Sequence, residues 1–258
     1  MEQSVYTYPA VYDVIVVGAG HAGIEAAMAA ARLGCQTLML TQNLDTVGQM
    51  SCNPAVGGLA KGHMVREIDA LGGFMGINTD ATAIQCRMLN ANKGASVRAP
   101  RSQCDKKAYQ FRAKAECERQ ENLQLKQGNV VRVVVNGSGA GGVETNLGVM
   151  YRGRSVVITT GTFMRGLLHV GMNSQPGGRM GDAPSSLSDS LRDLGFELGR
   201  FKTGTPCRLQ GRSIDWSKCQ RQEGDQPPPH FSFDLHALEK HKDDIFTLNS
   251  VTGGKFHV

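Results

Sequence analysis

A glycine-rich hexapeptide near the start of the chain has the spacing needed to hold the phosphates of a dinucleotide. It consists of Gly18, Ala19, Gly20, His21, Ala22 and Gly23, a GxGxxG motif. The first glycine of such a motif permits a tight turn, the second lets the backbone approach a pyrophosphate, and the third lets helix and strand pack closely. The phosphates lie at the N-terminus of the following helix. We therefore predict that residues 18–23 bind a dinucleotide, the alternative being a plain strand–helix turn.

The position that normally binds the ribose lacks its usual acid. In dinucleotide-binding folds an Asp or Glu about 20 residues after the motif accepts the ribose 2′-hydroxyl. Here that segment is Thr41-Gln42-Asn43, without an Arg for a 2′-phosphate. These neutral side chains can still hydrogen-bond a ribose, but the departure disfavours an ordinary NAD(P) dehydrogenase.

Cys52 is the candidate nucleophile. Pro54 follows two residues later, and because proline is favoured in the first turn of a helix, we expect Cys52 just ahead of a helix N-terminus, where the dipole favours a thiolate. The alternative is a small buried apolar residue, the role expected for the other cysteines at 35, 86, 104, 117, 207 and 219.

The absence of a CxxC pair excludes the usual zinc spacings, so we predict no metal site. The cysteine usage also fits the reducing cytoplasm.

Positive charge is concentrated in one segment. Between Arg87 and Arg119 there are nine basic and three acidic residues, a net charge of +6, whereas the whole chain carries +5. Such a segment either contacts phosphates or forms a solvated helix face. A helix expected after Cys52 carries Lys61, His63 and Arg66, which face either a ligand or solvent. The nine basic residues are Arg87, Lys93, Arg98, Arg101, Lys106, Lys107, Arg112, Lys114 and Arg119.

The elements that must position the glycine-rich motif follow from apolar patterning. Residues 12–17 are a short β-branched run typical of a buried parallel strand, and residues 36–41 predict a second strand. Residues 21–33 between them consist of good helix formers, with Gly34 as the stop. Together they predict a βαβ unit.

Three further strands are predicted at 130–135, 143–150 and 154–160, with a hairpin between the first two and a helix at 185–194. A β-meander followed by an apolar strand ending in Thr-Gly-Thr resembles the layout of two-dinucleotide flavoproteins. The loop 177–182 is either a second anion-contacting loop or a plain connector. From Thr203 onward the sequence is rich in loop residues, so we place a boundary near 203. The predicted class is α/β, with a Rossmann-like fold of the two-dinucleotide flavoprotein type.

Composition excludes several classes of protein. The chain has 258 residues, of which 40% are hydrophobic, and no apolar run approaches the roughly 18 residues of a membrane helix. The first residues lack the basic and apolar regions of a secretory signal. We therefore expect no membrane association.

Several blocks together resemble the N-terminal half of the MnmG (GidA) family of FAD proteins. The resemblance runs from about Tyr12 to Phe233, and the blocks follow the family's order. They are GAGHAGIEAA at 18–27, GQMSCNPAVGG at 48–58, LNANKGASVRAPRSQ at 89–103, TTGTF at 159–163, GGRMGD at 177–182 and LGRFKTGTPCRL at 198–209.

The resemblance implies a specific activity. With the GTPase MnmE, the family adds a carboxymethylaminomethyl (or aminomethyl) group to C5 of the wobble uridine of certain tRNAs. It uses FAD, NADH as reductant and methylenetetrahydrofolate as carbon donor, and it tends to form homodimers. By position, the FAD loop maps onto Gly18–Gly23, Val130 and Ser185 match further FAD contacts, and Cys52 matches a functionally important cysteine.

Two chemical expectations follow from the resemblance. A Cys52 thiolate can add to C6 of uracil and thereby activate C5 for attachment of a carbon. The basic segment from Arg87 to Arg119 is expected to contact tRNA phosphates, with the solvated helix face as the alternative.

The chain also departs from the family pattern. A second cysteine in a GPxYCPS block, a later Gly-rich FAD block and a helical C-terminal domain are absent from the sequence. We therefore expect a fragment, with an FAD-binding domain at 1–203 that lacks its return segment and the beginning of an NADH-related domain at 204–258.

Three alternatives remain. One is the related folate- and FAD-dependent tRNA uracil methyltransferase TrmFO, against which the 48–58 block and KTGTP argue. The second is an NAD(P)H–flavin disulfide reductase, which needs a redox cysteine pair. The third is a non-catalytic binding or assembly module.

Overall fold

A computed structural model describes residues 5–137 and 139–234. The chain divides into two compact units, each built from two separate stretches of sequence. The first unit comprises Met1–Gln49 and Gln110–Phe201, and the second comprises Met50–Tyr109 and Lys202–Val258. One of these divisions falls close to residue 203. The assignment of 1–203 to FAD and of 204–258 to an NADH-related domain stays a prediction, and residues 235–258 lie outside the described part.

The described residues form five α-helices and eleven strands, together with short 3₁₀ turns at 44–46, 95–97, 211–213 and 216–218. In chain order the elements are β1 Tyr6–Val17, α1 His21–Arg32, β2 Thr37–Thr41, β3 Ala55–Gly57, α2 Lys61–Ala70, α3 Met75–Thr82, β4 Ala83–Leu89, β5 Ala99–Cys104, α4 Lys106–Arg119, β6 Leu123–Gln127, β7 Val130–Asn136, β8 Gly139–Thr145, β9 Val149–Ile158, β10 Leu167–Val170, β11 Asn173–Pro176 and α5 Leu187–Asp193.

The first unit contains a six-stranded sheet in the order β6-β2-β1-β9-β8-β7. Strands β6, β2, β1 and β9 run parallel, whereas β9, β8 and β7 form the antiparallel meander. The predicted βαβ unit is confirmed, with β1 extending further toward the N-terminus than the apolar run. The result is a mixed α/β fold, which confirms the predicted class.

Burial explains why these elements form. Ile15 and Val16 on β1 and Leu38 and Met39 on β2 are completely buried, as expected for parallel strands covered on both faces. Helix α1 presents one small-residue face to β1 and β2, so it packs closely against the sheet. The buried positions of α1 are Gly23, Ile24, Ala27, Met28 and Ala31.

The predicted strand 143–150 is wrong at its centre. Strand β8 ends at Thr145, and β9 begins at Val149 after a turn closed by the Gly148 N–H to the Thr145 carbonyl at 3.0 Å. Leu147 continues the apolar pattern but is 82% exposed at the tip of this turn. The prediction failed here because an apolar residue in an exposed turn continues the sequence pattern of a strand.

The second unit contains the antiparallel sheet β3-β5-β4 and helices α2 and α3. Two acidic side chains fasten residues 231–233 to this unit. The carboxylate of Asp80, almost fully buried, accepts the N–H groups of Phe231 and Ser232, and that of Asp69 accepts the N–H of Phe233 at 2.8 Å. Burial raises the pKa of Asp80, which these N–H donors partly oppose.

Among the described residues after Thr203 there is no strand or α-helix, in agreement with the predicted loop-rich texture. The described helices include none with both the length and the apolar character needed to cross a bilayer.

Candidate functional site

The candidate site is a cleft in the first unit at the carboxyl ends of β1 and β2, where ligands bind in open parallel sheets. The cleft is partly open to solvent. The lining residues are Val17, Gly18, Ala19, Leu40, Thr41, Gln42, Asn43, Thr46, Gly128, Asn129, Val130, Thr160, Phe163, Arg179, Asp182 and Ser185.

The three glycines of the loop differ in the space available for a side chain. A Cβ at Gly18, whose φ is +108°, would lie 2.6 Å from the Thr159 carbonyl oxygen. A Cβ at Gly23 would lie 1.8 Å from the Gly18 carbonyl oxygen, so helix and loop touch at backbone level. A Cβ at Gly20 would meet nothing within 4 Å. The space beside Gly20 is therefore where a phosphate group can approach the backbone.

The other loop residues fit the same purpose. Ala19 is buried in the cleft wall, Ala22 is exposed on the first turn of α1, and no side chain caps the start of that helix at Gly20. The N–H groups of a helix's first turn have no partner within the helix, which suits an anion. Burial lowers the pKa of His21, so its imidazole is neutral at neutral pH and contributes no positive charge to the loop.

Val130 and Ser185, 55 residues apart, are brought together at the cleft. The Ser185 hydroxyl donates to the Val130 carbonyl at 2.7 Å and accepts the Leu187 N–H at 3.2 Å. The Ser185 N–H donates to the Phe163 carbonyl at 2.8 Å. Because these groups of Ser185 already bond within the protein, its main effect is to position the Val130 backbone in the cleft wall.

The part of the cleft formed by residues 41–43 carries no charged side chain. Thr41, Gln42 and Asn43 all line it. The Gln42 amide donates to the Asn129 side chain at 3.0 Å, and the Asn43 side chain accepts the Asp45 N–H at 2.8 Å. These bonds fix both amides in place.

The loop 177–182, left open between an anion contact and a connector, lines the cleft through Arg179 and Asp182. The Arg179 guanidinium bonds to the Gln49 side chain, lies 3.6 Å from the Asp182 carboxylate and stacks 5.4 Å from the Phe163 ring centroid. The GGRMGD block was the signal for this arrangement, but the sequence alone did not place it in the cleft.

Cys52 lies in the second unit, in an environment that differs from the prediction. No helix begins at Pro54: the residues after it form strand β3, and α2 begins only at Lys61. The expected helix dipole at Cys52 is therefore absent. Its Sγ, half-buried, lies 3.7 Å from Thr205 Oγ1. Arg208 donates to the Ser51 carbonyl at 3.3 Å and also to the Cys52 carbonyl.

The other cysteines are only partly as predicted. Cys104 and Cys117 are buried, and burial raises the pKa of each thiol to about 12. Cys207 is exposed, which contradicts a role as a buried apolar residue. No group of three or more His, Cys, Asp or Glu among the described residues gathers as a metal-binding cluster.

The basic segment does not form one element but spans β4, β5 and α4. Several of its charges are paired: Arg87 lies 3.9 Å from Asp225, Lys114 lies 3.3 Å from Asp45, and Arg119 lies 3.3 Å from Glu116. These pairs reduce the net charge offered to a ligand, and the contact with phosphates stays a prediction.

The predicted helix after Cys52 is α2, which carries Lys61, His63 and Arg66. Arg66 donates to the His230 carbonyl at 2.7 Å, and its guanidinium lies 5.5 Å from the Phe233 ring centroid. Arg66 therefore has a structural role in holding residues 230–233.

Comparison with known proteins gives a consistent result. A family model described as "Glucose inhibited division protein A" matches residues 13–252. The tRNA uridine 5-carboxymethylaminomethyl modification enzyme MnmG of Geobacter sulfurreducens is 60% identical over 234 residues, which cover 90% of this chain and 37% of that protein. The protein of the same name from Aquifex aeolicus is 56% identical, with 86% and 36% covered.

Solved structures agree with these matches. A crystal structure of Aquifex aeolicus GidA is similar with a TM-score of 0.85 and 55% identity, over 88% of this chain and 38% of that one. The GidA-related protein of Thermus thermophilus is more distant, with a TM-score of 0.53 and 26% identity, over 73% of this chain and 70% of that one.

The chain thus spans somewhat more than a third of the length of these curated relatives. Because the family model covers most of the sequence, from residue 13 to residue 252, the protein belongs to the GidA (MnmG) family.

Proposed function

We propose that this chain is the FAD-binding portion of an enzyme that adds a carboxymethylaminomethyl (or aminomethyl) group to C5 of the tRNA wobble uridine. One observation carries the cofactor assignment. A Cβ is excluded by backbone at Gly18 and Gly23, whereas the space beside Gly20 is open. This pattern matches the roles of the three glycines in pyrophosphate-binding loops. The names of the relatives from Geobacter sulfurreducens and Aquifex aeolicus support the activity.

Named groups of the cleft would hold the FAD. The backbone of Gly18, Ala19, Gly20, His21, Ala22 and Gly23 would bind the pyrophosphate, the neutral side chains at 41–43 the ribose, and Val130, positioned by Ser185, the cleft wall beside the nucleotide. When bound, FAD would supply redox chemistry, with NADH as the reductant and methylenetetrahydrofolate as the source of the carbon.

Cys52 is the proposed nucleophile. Addition of its thiolate to C6 of the uracil ring would place the electron pair of the C5–C6 double bond on C5, which could then bond to an electrophilic carbon. Loss of the C5 proton and expulsion of the thiolate would restore the double bond. The structure supports a reactant side chain here because Cys52 is half-buried rather than enclosed, and Arg208 fixes its backbone.

The remaining assignments belong to the same proposal. The substrate is tRNA, contacted in part by the basic segment, and the partners are the GTPase MnmE and a second copy of the chain. Seven free cysteines support a cytoplasmic location. Residues 1–203 are assigned to FAD binding and 204–258 to the start of an NADH-related domain.

The visible absorption spectrum of the 258-residue chain, purified without added cofactor, tests the central claim. A flavin band that persists through gel filtration supports FAD binding. A colourless chain that also takes up no added FAD, although folded by circular dichroism, contradicts it and favours the assembly module. A pull-down with flavin-free protein then identifies the module's partner.

The chemical claim needs a product assay. In the full-length enzyme, Cys52→Ser is expected to abolish tRNA modification, with Cys219→Ser as the matched control that leaves activity intact. Unchanged modification in Cys52→Ser contradicts the nucleophile assignment. A product carrying a methyl group instead of an aminomethyl-type group favours the TrmFO-like alternative.

A further inference from the structure

The cleft of the first unit is lined by few charged side chains. Of the residues that line it, only Arg179 and Asp182 are charged. A dinucleotide pyrophosphate carries two negative charges, and a helix N-terminus offers the equivalent of about half a positive charge. The neutral His21 adds none. Arg179 is therefore the one full positive charge that the described lining can offer to the ligand.

The loop that carries Arg179 is held rigidly against its neighbours. The Thr162 hydroxyl donates to the Gly178 carbonyl at 2.7 Å, and the Gly177 N–H donates to the Gly166 carbonyl at 2.9 Å. A Cβ at Gly178 would lie 2.3 Å from the Phe163 ring. Glycine there lets the loop lie against the ring, which places the guanidinium over the face of Phe163.

The guanidinium is anchored on one side only. Its contacts with Gln49 and with Asp182 are both made by Nη1. No described residue accepts a hydrogen bond from its Nη2 or Nε. Three N–H donors of a planar fork thus remain for a ligand, and this fork matches two oxygens of a phosphate.

We propose that Arg179 binds the pyrophosphate of the dinucleotide together with the backbone of the 18–23 loop, which lines the same cleft. This rests on the proposed binding of FAD. Gln49 and Phe163 hold the guanidinium at the cleft. In the absence of phosphates, the Asp182 carboxylate balances its positive charge. The pyrophosphate would then be held both by backbone N–H groups of the loop and by a side chain that carries a full charge.

The test uses the 258-residue chain and calorimetric titration with FAD, ADP and adenosine, adenosine being measured in competition with ADP. Arg179→Gln is expected to weaken binding of FAD and ADP by roughly 10- to 100-fold, the size of a lost charge-assisted pair. Binding of adenosine, which has no phosphate, is expected to stay the same. The matched control is Arg165→Gln, which removes an exposed arginine paired with Asp189 outside the cleft lining.

Arg179→Lys provides a second test if the glutamine variant does not fold. It keeps the charge but loses the fork, so an intermediate loss of ADP affinity is expected, again without a change for adenosine.

Two results overturn the inference while leaving FAD binding intact: unchanged ADP affinity in the variants, or an equal loss for ADP and adenosine, which would indicate a purely structural role. If the unaltered chain binds none of the three compounds, the cofactor assignment fails, and the inference fails with it.

Discussion

The 18–23 loop and the Cys52 segment are both short, glycine-flanked stretches with a clear sequence signal, yet only the first folds as its sequence predicts. Around Gly18–Gly23 the decisive contacts are made with the strand just before, the helix just after and the end of β9. Around Cys52 they are made by Thr205 and Arg208, more than 150 residues away. The 18–23 loop can be predicted because its glycines, the strand before it and the helix after it leave a pattern in the sequence, even though the distant Thr159 also packs against it. The sequence around Cys52 contains no such pattern for its contacts with Thr205 and Arg208.

The largest expected effect comes from Gly23→Ala. The new Cβ would lie 1.8 Å from the Gly18 carbonyl oxygen, a backbone atom that cannot move without separating α1 from the loop. We expect a loss of about 4 kcal/mol or more in the free energy of unfolding, or failure to fold. Urea denaturation measures it. A variant of near-normal stability would show that the helix–strand contact is looser than described.

Gly20→Ala sharpens the comparison within the loop. The φ of Gly20 is −79°, which alanine can adopt, and the new Cβ would meet no atom. Because alanine is less favourable than glycine at a helix N-cap, the free energy of unfolding should fall by about 1 kcal/mol. The methyl group would occupy the space of the pyrophosphate, so FAD affinity should fall by at least about tenfold. Fluorescence titration with FAD alongside thermal unfolding measures both. If both variants lose stability equally, the assigned roles of the two glycines are incorrect.

Ser185→Ala tests whether the cleft wall depends on one hydroxyl. The change removes a buried donor to the Val130 carbonyl and an acceptor for the Leu187 N–H. We expect about 2 kcal/mol less stability together with weaker FAD binding. Ser186→Ala is a matched control on the adjacent residue, which has no side-chain cap bond at the start of α5. Weaker binding without loss of stability would instead indicate a direct contact between the hydroxyl and FAD.

The rate of alkylation should distinguish Cys52 from the buried cysteines Cys104 and Cys117, without a change in the sequence. With iodoacetamide at pH 8, Cys52 and exposed Cys207 should be alkylated well before Cys104 and Cys117, whose thiols are buried with pKa values of about 12. Peptide mass mapping follows the order. Labelling of Cys117 as fast as Cys207 would contradict the packing around α4.

The same two thiols predict an alkaline decline in stability. In the unfolded chain they lose their protons near the ordinary value of 9.0, whereas the folded chain keeps them protonated to about pH 12. The unfolded state therefore binds fewer protons in this window, and the free energy of unfolding falls as pH rises from about 9 to about 12. Cys104→Ala and Cys117→Ala should each flatten that decline.

Particular residues show what the sequence could and could not predict. The run from Val14 to Val17 and the small-residue face of α1 predict their elements because burial on two faces leaves a local pattern. Pro54 suggested a helix, but pairing of Ala55–Gly57 with residues 101–103 of β5 makes that segment a strand. Leu147 shows the same limit, since its exposure depends on a turn that the apolar pattern does not report.

Strand β1 lies between β2, which follows it closely in the sequence, and β9, which is synthesised much later. The hydrogen bond from the Thr159 hydroxyl to the Val17 carbonyl spans 142 residues, and Ser185 comes later still. During synthesis the 18–23 loop therefore leaves the ribosome long before the strand and the hydroxyl that complete the cleft around it. In the proposed function, FAD binding follows the pairing of β1 with β9, a slow non-local step. Until then one edge of β1 is open to unwanted strand pairing, so chaperone access is expected to influence the yield of folded protein.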